Sequence, residues 1–528
     1  MRGVRTDRMR SVIVVGAGAG GLAAACDLAR QGVAVQVFES ANTVGGRIHQ
    51  QRVDGQPIDS GPTVLTMRWV FDDLLAACGE TLEDEDLRLL PLDVLARHAW
   101  SADERLDLFA DPRRSTEAIG ELSGPAEARR FEAFCAEARR IYHHLEAAYI
   151  RTERPSLLSM TTDLGPSGML ALTGLGPFAS LWKSLGRHFH DPRLRQLFGR
   201  YATYCGGSPW LAPATLMLIA YVEMRGVWVA QGGMQALANR LARSAVRQGV
   251  SIECSQPVSE ILVDQGKAVG IRLSDGRCHH ADAVVFNGEV GALVTGRLGA
   301  SAARAVTTQD VGTRSASALT VALRARVEGF ELDYHNVFFQ PDYQSEFTDL
   351  FEQGRLPTRP TLYVCAQDRV PGGRNTGDSG GAIGRPSGER IFCLINAPAT
   401  THDVALRQED IEQCLHSAFS HLERCGLHLT TVSSGQAITT PAAFAQRFPG
   451  SAGALYGMAP HGWMSSFRRP SARTRLPGLF LAGGSAHPGA GVPMATLSGR
   501  VAAATVMAHL DSTRRSSGVR ISGGMSMA

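Results

Sequence analysis

The residues best suited to chemistry lie in one glycine-rich run, Gly16-Ala17-Gly18-Ala19-Gly20-Gly21, which spells G-x-G-x-x-G at Gly16, Gly18 and Gly21. It follows the β-branched run 11–15 and opens an Ala/Leu-rich stretch. In that setting the first glycine permits a tight turn and the second lets the backbone approach a pyrophosphate. The third lets helix and strand pack closely. Free N–H groups at the helix start then face the phosphates. Glu39 ends the next apolar run, where a carboxylate accepts hydrogen bonds from ribose hydroxyls. Together these residues predict a dinucleotide-binding βαβ unit.

Two further segments could serve the same ligand. Val44-Gly45-Gly46-Arg47 and Pro57-Ile58-Asp59-Ser60-Gly61-Pro62-Thr63 follow soon after Glu39. Alone, Gly45-Gly46 reads as a turn and Arg47 as a surface charge. Residues 478–494 run from an apolar strand through a Gly/Pro loop holding Gly484, Gly491, Val492 and Pro493 into a helix. A helix start carries partial positive charge and suits an anion or a reduced ring. His487 lies inside that loop, where a loop-organising hydrogen bond is the expected role. His143-His144, His188-Phe189-His190 and His279-His280 have no companion ligands at a zinc spacing, so no metal site is predicted. No residue declares itself as a general base, and no catalytic side chain is assigned.

These groups need elements to hold them. Residues 20–31 read as a helix closed by Gly32, and residues 33–38 as a second strand. Residues 81–208 read as mainly helical, most clearly over 126–149. A helix over 235–248 leads to a strand over 251–254. Short strands over 258–263, 268–273 and 283–286 are separated by Gly-containing turns. Strands over 316–324 and 361–366 belong to another sheet. Residues 371–390 form a Gly/Ser/Pro-rich loop. A strand over 479–482 precedes a helix over 495–510, and the polar tail 511–528 is expected to be disordered.

Composition bounds the rest. A chain of 528 residues, 44% hydrophobic and 20% charged, can bury large cores in two or three domains, which excludes bulk disorder. Lys+Arg number 53 against 50 Asp+Glu, a net +3 that gives no electrostatic case for nucleic acid. Ten scattered cysteines without a C-x-x-C pair predict free thiols and a cytoplasmic setting. The basic first ten residues leave no room for a secretory apolar segment before Gly16. No long uninterrupted apolar window predicts a transmembrane helix. Residues 169–185 and 216–222 are the apolar stretches that could dip into one leaflet or form core.

Gly45-Gly46-Arg47 placed just after the ribose acid resembles the flavoprotein oxidoreductases of the amine oxidase and carotenoid desaturase superfamily. Residues 478–494 resemble the L-x-G-x-x-x-H-P-G-x-G-x-P signature of its bacterial carotenoid desaturases. They depart from it at Gly484-Ser485-Ala486, where relatives commonly have Ala-Gly-Thr, and at Met494, where phytoene desaturases usually have Gly. Residues 227–234, Pro257-Val258 and residues 282–287 are similar to further flavin-domain segments of the same family. Gly206-Gly207-Ser208-Pro209-Trp210 and residues 493–500 look closer to its hydroxycarotenoid (methoxyneurosporene) branch than to phytoene desaturases.

The resemblance implies an α/β chain with a Rossmann-like FAD-binding domain, a mixed-sheet substrate domain and a helical membrane-facing region. The implied division is an FAD domain in three parts, 9–80, 226–300 and 471–510, with a largely helical region over 81–225, a substrate domain over 301–470 and a tail over 511–528. It implies FAD as cofactor, bound through Gly16, Gly18, Gly21, Glu39, Gly46, Arg47, Gly61, Pro62, Thr63, Val258, Gly484, Gly491, Val492 and Pro493. The implied reaction is 3,4-desaturation of an acyclic 1-hydroxy- or 1-methoxycarotenoid, by hydride transfer to flavin and loss of a proton. Oxygen or a quinone would accept the electrons, and the protein would lie peripherally on the cytoplasmic face of the inner membrane. Phytoene or neurosporene desaturation, carotenoid isomerisation and a non-enzymatic lipid or prenyl escort role are the alternatives left open.

Overall fold

The computed structural model describes residues 9–153, 179–374, 388–399, 406–432, 435–462 and 464–518. Ser11–Val15 (β1) is buried along almost its whole length, as a β-branched run ended by glycine should be. It runs into the helix Ala19–Ala29 (α1) and then the strand Ala34–Phe38 (β2). Ser251–Glu253 (β3), Ala283–Phe286 (β4) and Leu479–Leu481 (β5) complete a five-stranded sheet in the order β5-β4-β1-β2-β3. Every pairing in it is parallel. The three-part dinucleotide fold thus draws its strands from widely separated stretches of chain. An antiparallel three-stranded sheet, Val258–Asp264, Lys267–Leu273 and Cys278–His280, lies in sequence between β3 and β4.

Helix Val492–Gly518 (α2) follows β5 and packs across α1. A Cβ at Gly499 would stand 2.0 Å from the Gly20 carbonyl oxygen, and one at Gly20 would stand 2.8 Å from that of Ala495. The two helices therefore meet backbone to backbone. The helix starts three residues earlier than its sequence suggests and continues through 511–518, where disorder was expected. Burial of Val506 and Leu510 and an Arg10–Asp511 ion pair of 2.8 Å hold that continuation. Residues 519–528 lie outside the described residues.

The second sheet has eight strands. Its main path runs Leu427–Thr431, Ser317–Gly329, Glu389–Ala397, Leu362–Ala366, His335–Phe338, Val94–Ala99 and Arg105–Phe109, and Ala437–Thr439 also pairs with Ser317–Gly329. The pairings are antiparallel except that His335–Phe338 runs parallel to Val94–Ala99. That last feature departs from the helical reading of residues 81–208, because Leu89–Pro91, Val94–Ala99 and Arg105–Phe109 are strands. Period-two burial explains it: Leu106 and Leu108 point into the core, while Asp107 lies across from Arg97 in a 2.8 Å ion pair. The helical reading holds from Pro112–Ser123 and Pro125–Leu145 onward, the first capped by the Asp111 carboxylate. Phe131, Phe134, Phe189 and Phe198 stack in the core between these helices and the sheet.

The loop expected over 371–390 is shorter at its end, since Glu389 and Arg390 already belong to a strand; residues 375–387 lie outside the described residues. So do 169–178 of the first apolar stretch. Its remainder includes the helix Leu181–His188, which buries Leu181 and Leu185 in the core. All ten cysteines are free thiols. Among the described residues no helix is long and apolar enough to cross a membrane, and no group of His, Cys, Asp and Glu could hold a metal.

The α1–α2 contact gives a direct test. Gly499→Val must push the helices apart, and we expect a loss of about 3 kcal/mol in stability, by the cost of overpacking a closed contact. Thermal unfolding of the purified variant beside the parent chain measures it; an unchanged midpoint would show that the helices do not meet at Gly20.

Candidate active site

One cavity of ≈ 1200 Å³ is lined by both sheets. Small-molecule sites usually span about 300–1,000 Å³, so this one exceeds the usual size of a single-ligand pocket. Its first end is the glycine turn. Gly16 has φ +99°, and a Cβ at Gly21 would stand 2.0 Å from the Gly16 carbonyl oxygen, so the turn accepts no side chain there. Gly16 and Gly18 line the cavity, whereas Gly21 packs behind the turn. Gly18 is the N-cap of α1, whose first N–H groups are the donors a phosphate would meet.

Glu39 lines the cavity from the end of β2 and is buried. Its carboxylate accepts from Ala17 N at 2.7 Å and from Ala41 N at 2.9 Å. It therefore ties the glycine turn to the sheet as well as facing the ligand space. Val258, from the inserted sheet, lines the same end.

Gly46 and Arg47 come next along the wall, followed by Gly61, Pro62 and Thr63. A Cβ at Gly61 would lie 2.0 Å from the Arg47 carbonyl oxygen, which fixes the two segments against each other. Arg47 is ion-paired to Glu289. Its Nε and the Glu289 Oε2 are buried with no hydrogen-bond partner among the described residues. Arg297 and Arg447 line the cavity as well. A cleft with donor N–H groups, several guanidiniums and unsatisfied buried polar atoms fits a dinucleotide pyrophosphate.

The C-terminal loop closes the cleft. Gly484, Gly491, Val492 and Pro493 all line it, and α2 begins there. Arg469, which also lines the cavity, holds this loop in place. Its guanidinium donates to the carbonyls of Gly484 at 2.9 Å, Tyr456 at 3.0 Å and Met458 at 2.9 Å. His487 is buried, and its Nε2 lies 3.0 Å from the Tyr149 carbonyl oxygen. Burial pushes its imidazole down to about 4. It is neutral at pH 7 and donates one loop-organising hydrogen bond, the role its place in the motif suggested.

Beyond Thr63 the cavity turns apolar. Leu145, Ile150, Leu216, Leu218, Ile219 and Val222 wall it, so the stretch 216–222 gives one side to ligand space and, through Met217 and Ala220, the other to the core. Polar residues interrupt this wall. Arg200 donates to the Tyr204 hydroxyl at 3.2 Å, and the Tyr201 hydroxyl donates to Glu223 at 2.6 Å. Thr63 Oγ1 and Tyr363 Oη are 2.6 Å apart. Sequence reasoning missed Arg200, Tyr204, Glu223, Glu289 and Arg469. Nothing in their spacing marks them, because they meet only through tertiary packing. Asn287 had a signal, its place at the end of an apolar strand.

His487 generates a pH test. Its ordinary value of 6.5 falls to about 4 on folding, so the unfolded chain binds more protons between those pH values. This part of the stability is complete above pH 6.5 and is lost as pH falls through the window, about 2 kcal/mol by pH 5. In unfolding titrations at pH 7 and pH 5, His487→Gln is expected to lose less stability across the interval than the parent chain. Equal losses would show that His487 is not buried neutral.

The comparisons with known proteins agree with this geometry. The profile of the flavin containing amine oxidoreductase family matches residues 19–507. Hydroxyneurosporene desaturase of Rubrivivax gelatinosus is 54% identical over 520 residues, covering 98% of this chain and 97% of that one. Hydroxyneurosporene desaturase of Rhodobacter capsulatus is 41% identical over 499 residues, covering 94% and 97%. Among solved structures, an oxidoreductase from Methanosarcina mazei superposes with a TM-score of 0.58 at 17% identity, over 94% of this chain and 100% of that one. A putrescine oxidase bound to putrescine gives 0.57 at 14% identity, over 95% and 99%. At such identities the structures speak for the fold, while the family profile and the close sequence relatives place the protein: the chain belongs to the flavin-containing amine oxidoreductases, together with the hydroxyneurosporene desaturases.

Proposed function

We propose that the protein is an FAD-dependent desaturase that introduces the 3,4 double bond into an acyclic 1-hydroxy- or 1-methoxycarotenoid. The observation that carries this reading is one cavity walled at one end by the glycine turn and guanidiniums and at the other by aliphatic side chains. Its support is the extended likeness to hydroxyneurosporene desaturases. When bound, FAD supplies the hydride acceptor for an allylic C–H beside the polyene.

The chain's own residues would do the rest. Gly16 and Gly18 admit the pyrophosphate, with Gly21 keeping the turn tight, and Glu39 takes the ribose. Val258 would lie at the adenine end. Gly46, the Arg47–Glu289 pair, Gly61, Pro62 and Thr63 would border the flavin, and Gly484 with Gly491, Val492 and Pro493 would close over it. The α2 N-terminus offers partial positive charge where negative charge would collect. The apolar wall of Leu216, Ile219 and Val222 excludes water and aligns the chain of the substrate. Loss of the second hydrogen as a proton is favourable once the neighbouring carbon is electron-poor, so no strong side-chain base is assigned. Electrons would pass onward to oxygen or a quinone. A peripheral seat on the cytoplasmic face of the inner membrane would supply a membrane-dissolved substrate.

The decisive assay is paired. Purified holoprotein receives 1-hydroxyneurosporene in one liposome sample and phytoene in another, with products read by absorption and mass. The expected result is loss of two hydrogens and a red shift with the hydroxylated carotenoid alone. Conversion of phytoene instead would make this an early desaturase. Gly18→Val is expected to abolish FAD binding, because a branched side chain would fill the phosphate approach. Stoichiometric flavin absorbance in that variant would refute the cofactor assignment.

A further inference from the structure

We infer that Arg200, Tyr204 and Glu223 form a subsite for the oxygen-bearing end of the substrate, a hydrogen-bonding pocket for an aliphatic tertiary alcohol set into an otherwise apolar chamber. The inference rests on the reading of that chamber as a carotenoid site.

The argument starts from cost. A guanidinium has five N–H donors and is expensive to remove from water unless those donors are used. Two other guanidiniums meet that cost with carboxylates or backbone carbonyls. Arg240, 1% exposed, forms ion pairs with Glu80 and Asp84, and Arg469 donates to three backbone carbonyls. Arg200 is different. Among the described residues its hydrogen bond goes to the Tyr204 hydroxyl, and no carboxylate lies within ion-pair distance. It rests over the rings of Tyr204 and Tyr363, 5.2 and 5.5 Å from their centroids. It also lines the cavity. A hydrocarbon offers such donors nothing, whereas an alcohol oxygen accepts from them.

Glu223 completes the complement. It is buried, lines the cavity and takes the Tyr201 hydroxyl at 2.6 Å, with Tyr204 against its other side. Burial pushes its carboxyl up, and the nearby Arg200 charge opposes that shift. The cluster therefore presents donors from Arg200 and an acceptor at Tyr204 and Glu223, which matches the one donor and two lone pairs of a hydroxyl.

Position points the same way. The ring of Tyr363 under Arg200 carries the hydroxyl that meets Thr63 at 2.6 Å and His335 Nδ1 at 2.7 Å. Thr63 belongs to the segment that walls the cofactor end. In a 1-hydroxycarotenoid the hydroxyl-bearing carbon is two bonds from C3. An alcohol read at this cluster would thus sit beside the bond to be desaturated. A site built to hydrogen-bond a substrate hydroxyl rejects the analogue that lacks it, because its buried polar groups are then left unpaired.

The test measures binding, so it does not depend on turnover. The holoprotein is titrated with 1-hydroxyneurosporene and with neurosporene in the same detergent, following the change in flavin absorption. The parent chain is expected to bind the hydroxylated ligand roughly 10- to 100-fold more tightly. Tyr204→Phe, which keeps the ring, and Arg200→Met are each expected to bring that ratio towards one, and Arg200→Lys to restore part of it. Flavin content per chain checks that each variant is folded. Equal affinities in the parent chain, or an undiminished ratio in flavin-loaded variants, would overturn the subsite. A flavin spectrum that neither carotenoid perturbs would instead overturn the carotenoid reading, and the subsite with it.

Discussion

The side chain of Asn287 is the point on which the cofactor end of this protein depends. Its Nδ2 donates to the Gly16 carbonyl at 3.1 Å, and its backbone N–H donates to Val15 at 2.8 Å. Added Cβ atoms at Gly20, Gly21 and Gly483 would all fall within 3.0 Å of that carboxamide. Three segments remote in sequence thus converge on one amide: the glycine turn after β1, the end of β4 and the loop after β5. Each glycine is required by its distance to this side chain or to the backbone beside it. An amide with fixed donors and acceptor also defines which carbonyls turn inward, and so which N–H groups are left facing the cleft.

From that junction the two halves of the cavity follow different physics. The phosphate end works by backbone: tight turns, helix starts and a carboxylate that braces them. Its guanidiniums are drawn from three places, Arg47, Arg297 and Arg447, against the acids Glu39 and Glu289. The far end works by exclusion, with aliphatic walls and a few polar side chains whose partners are other side chains. Arg469 and His487 stabilise the lid between the two ends through hydrogen bonds to backbone carbonyls. The value of His487 is positional, since a neutral imidazole has no charge to offer a ligand, whereas Arg469 keeps its charge and itself lines the cavity.

The parts of this design that sequence reveals are those that act through local backbone. The turn at Gly16–Gly21, the acid at the end of β2, the strand of residues 283–286 and the Gly/Pro loop before α2 all announce themselves by residue type and spacing. The strands over 94–109 do not, because each is short and Arg97 and His98 break the alternation of the first, which finds its place only beside a strand from residues 335–338. The tail extension of α2 is equally silent, since it depends on an arginine at the opposite end of the chain. The polar group of Arg200, Tyr204 and Glu223 is split between two helical segments, the second of which reads in sequence as an apolar stretch.

The order of the parallel sheet carries a consequence for biosynthesis. Strand β4 pairs with β1 on one side and β5 on the other, yet β5 lies at residues 479–481. During translation the eight-stranded sheet and its helices can be complete while β4 still has an open edge and α1 still lacks the helix that covers it. A cleft in that state has no closing loop and exposes an alanine-rich apolar face. Such intermediates favour self-association over ligand capture. Flavin capture would therefore wait until the segment carrying β5 and α2 has been made and has folded, and the yield of active protein would depend on how long that unfinished edge is kept from its neighbours.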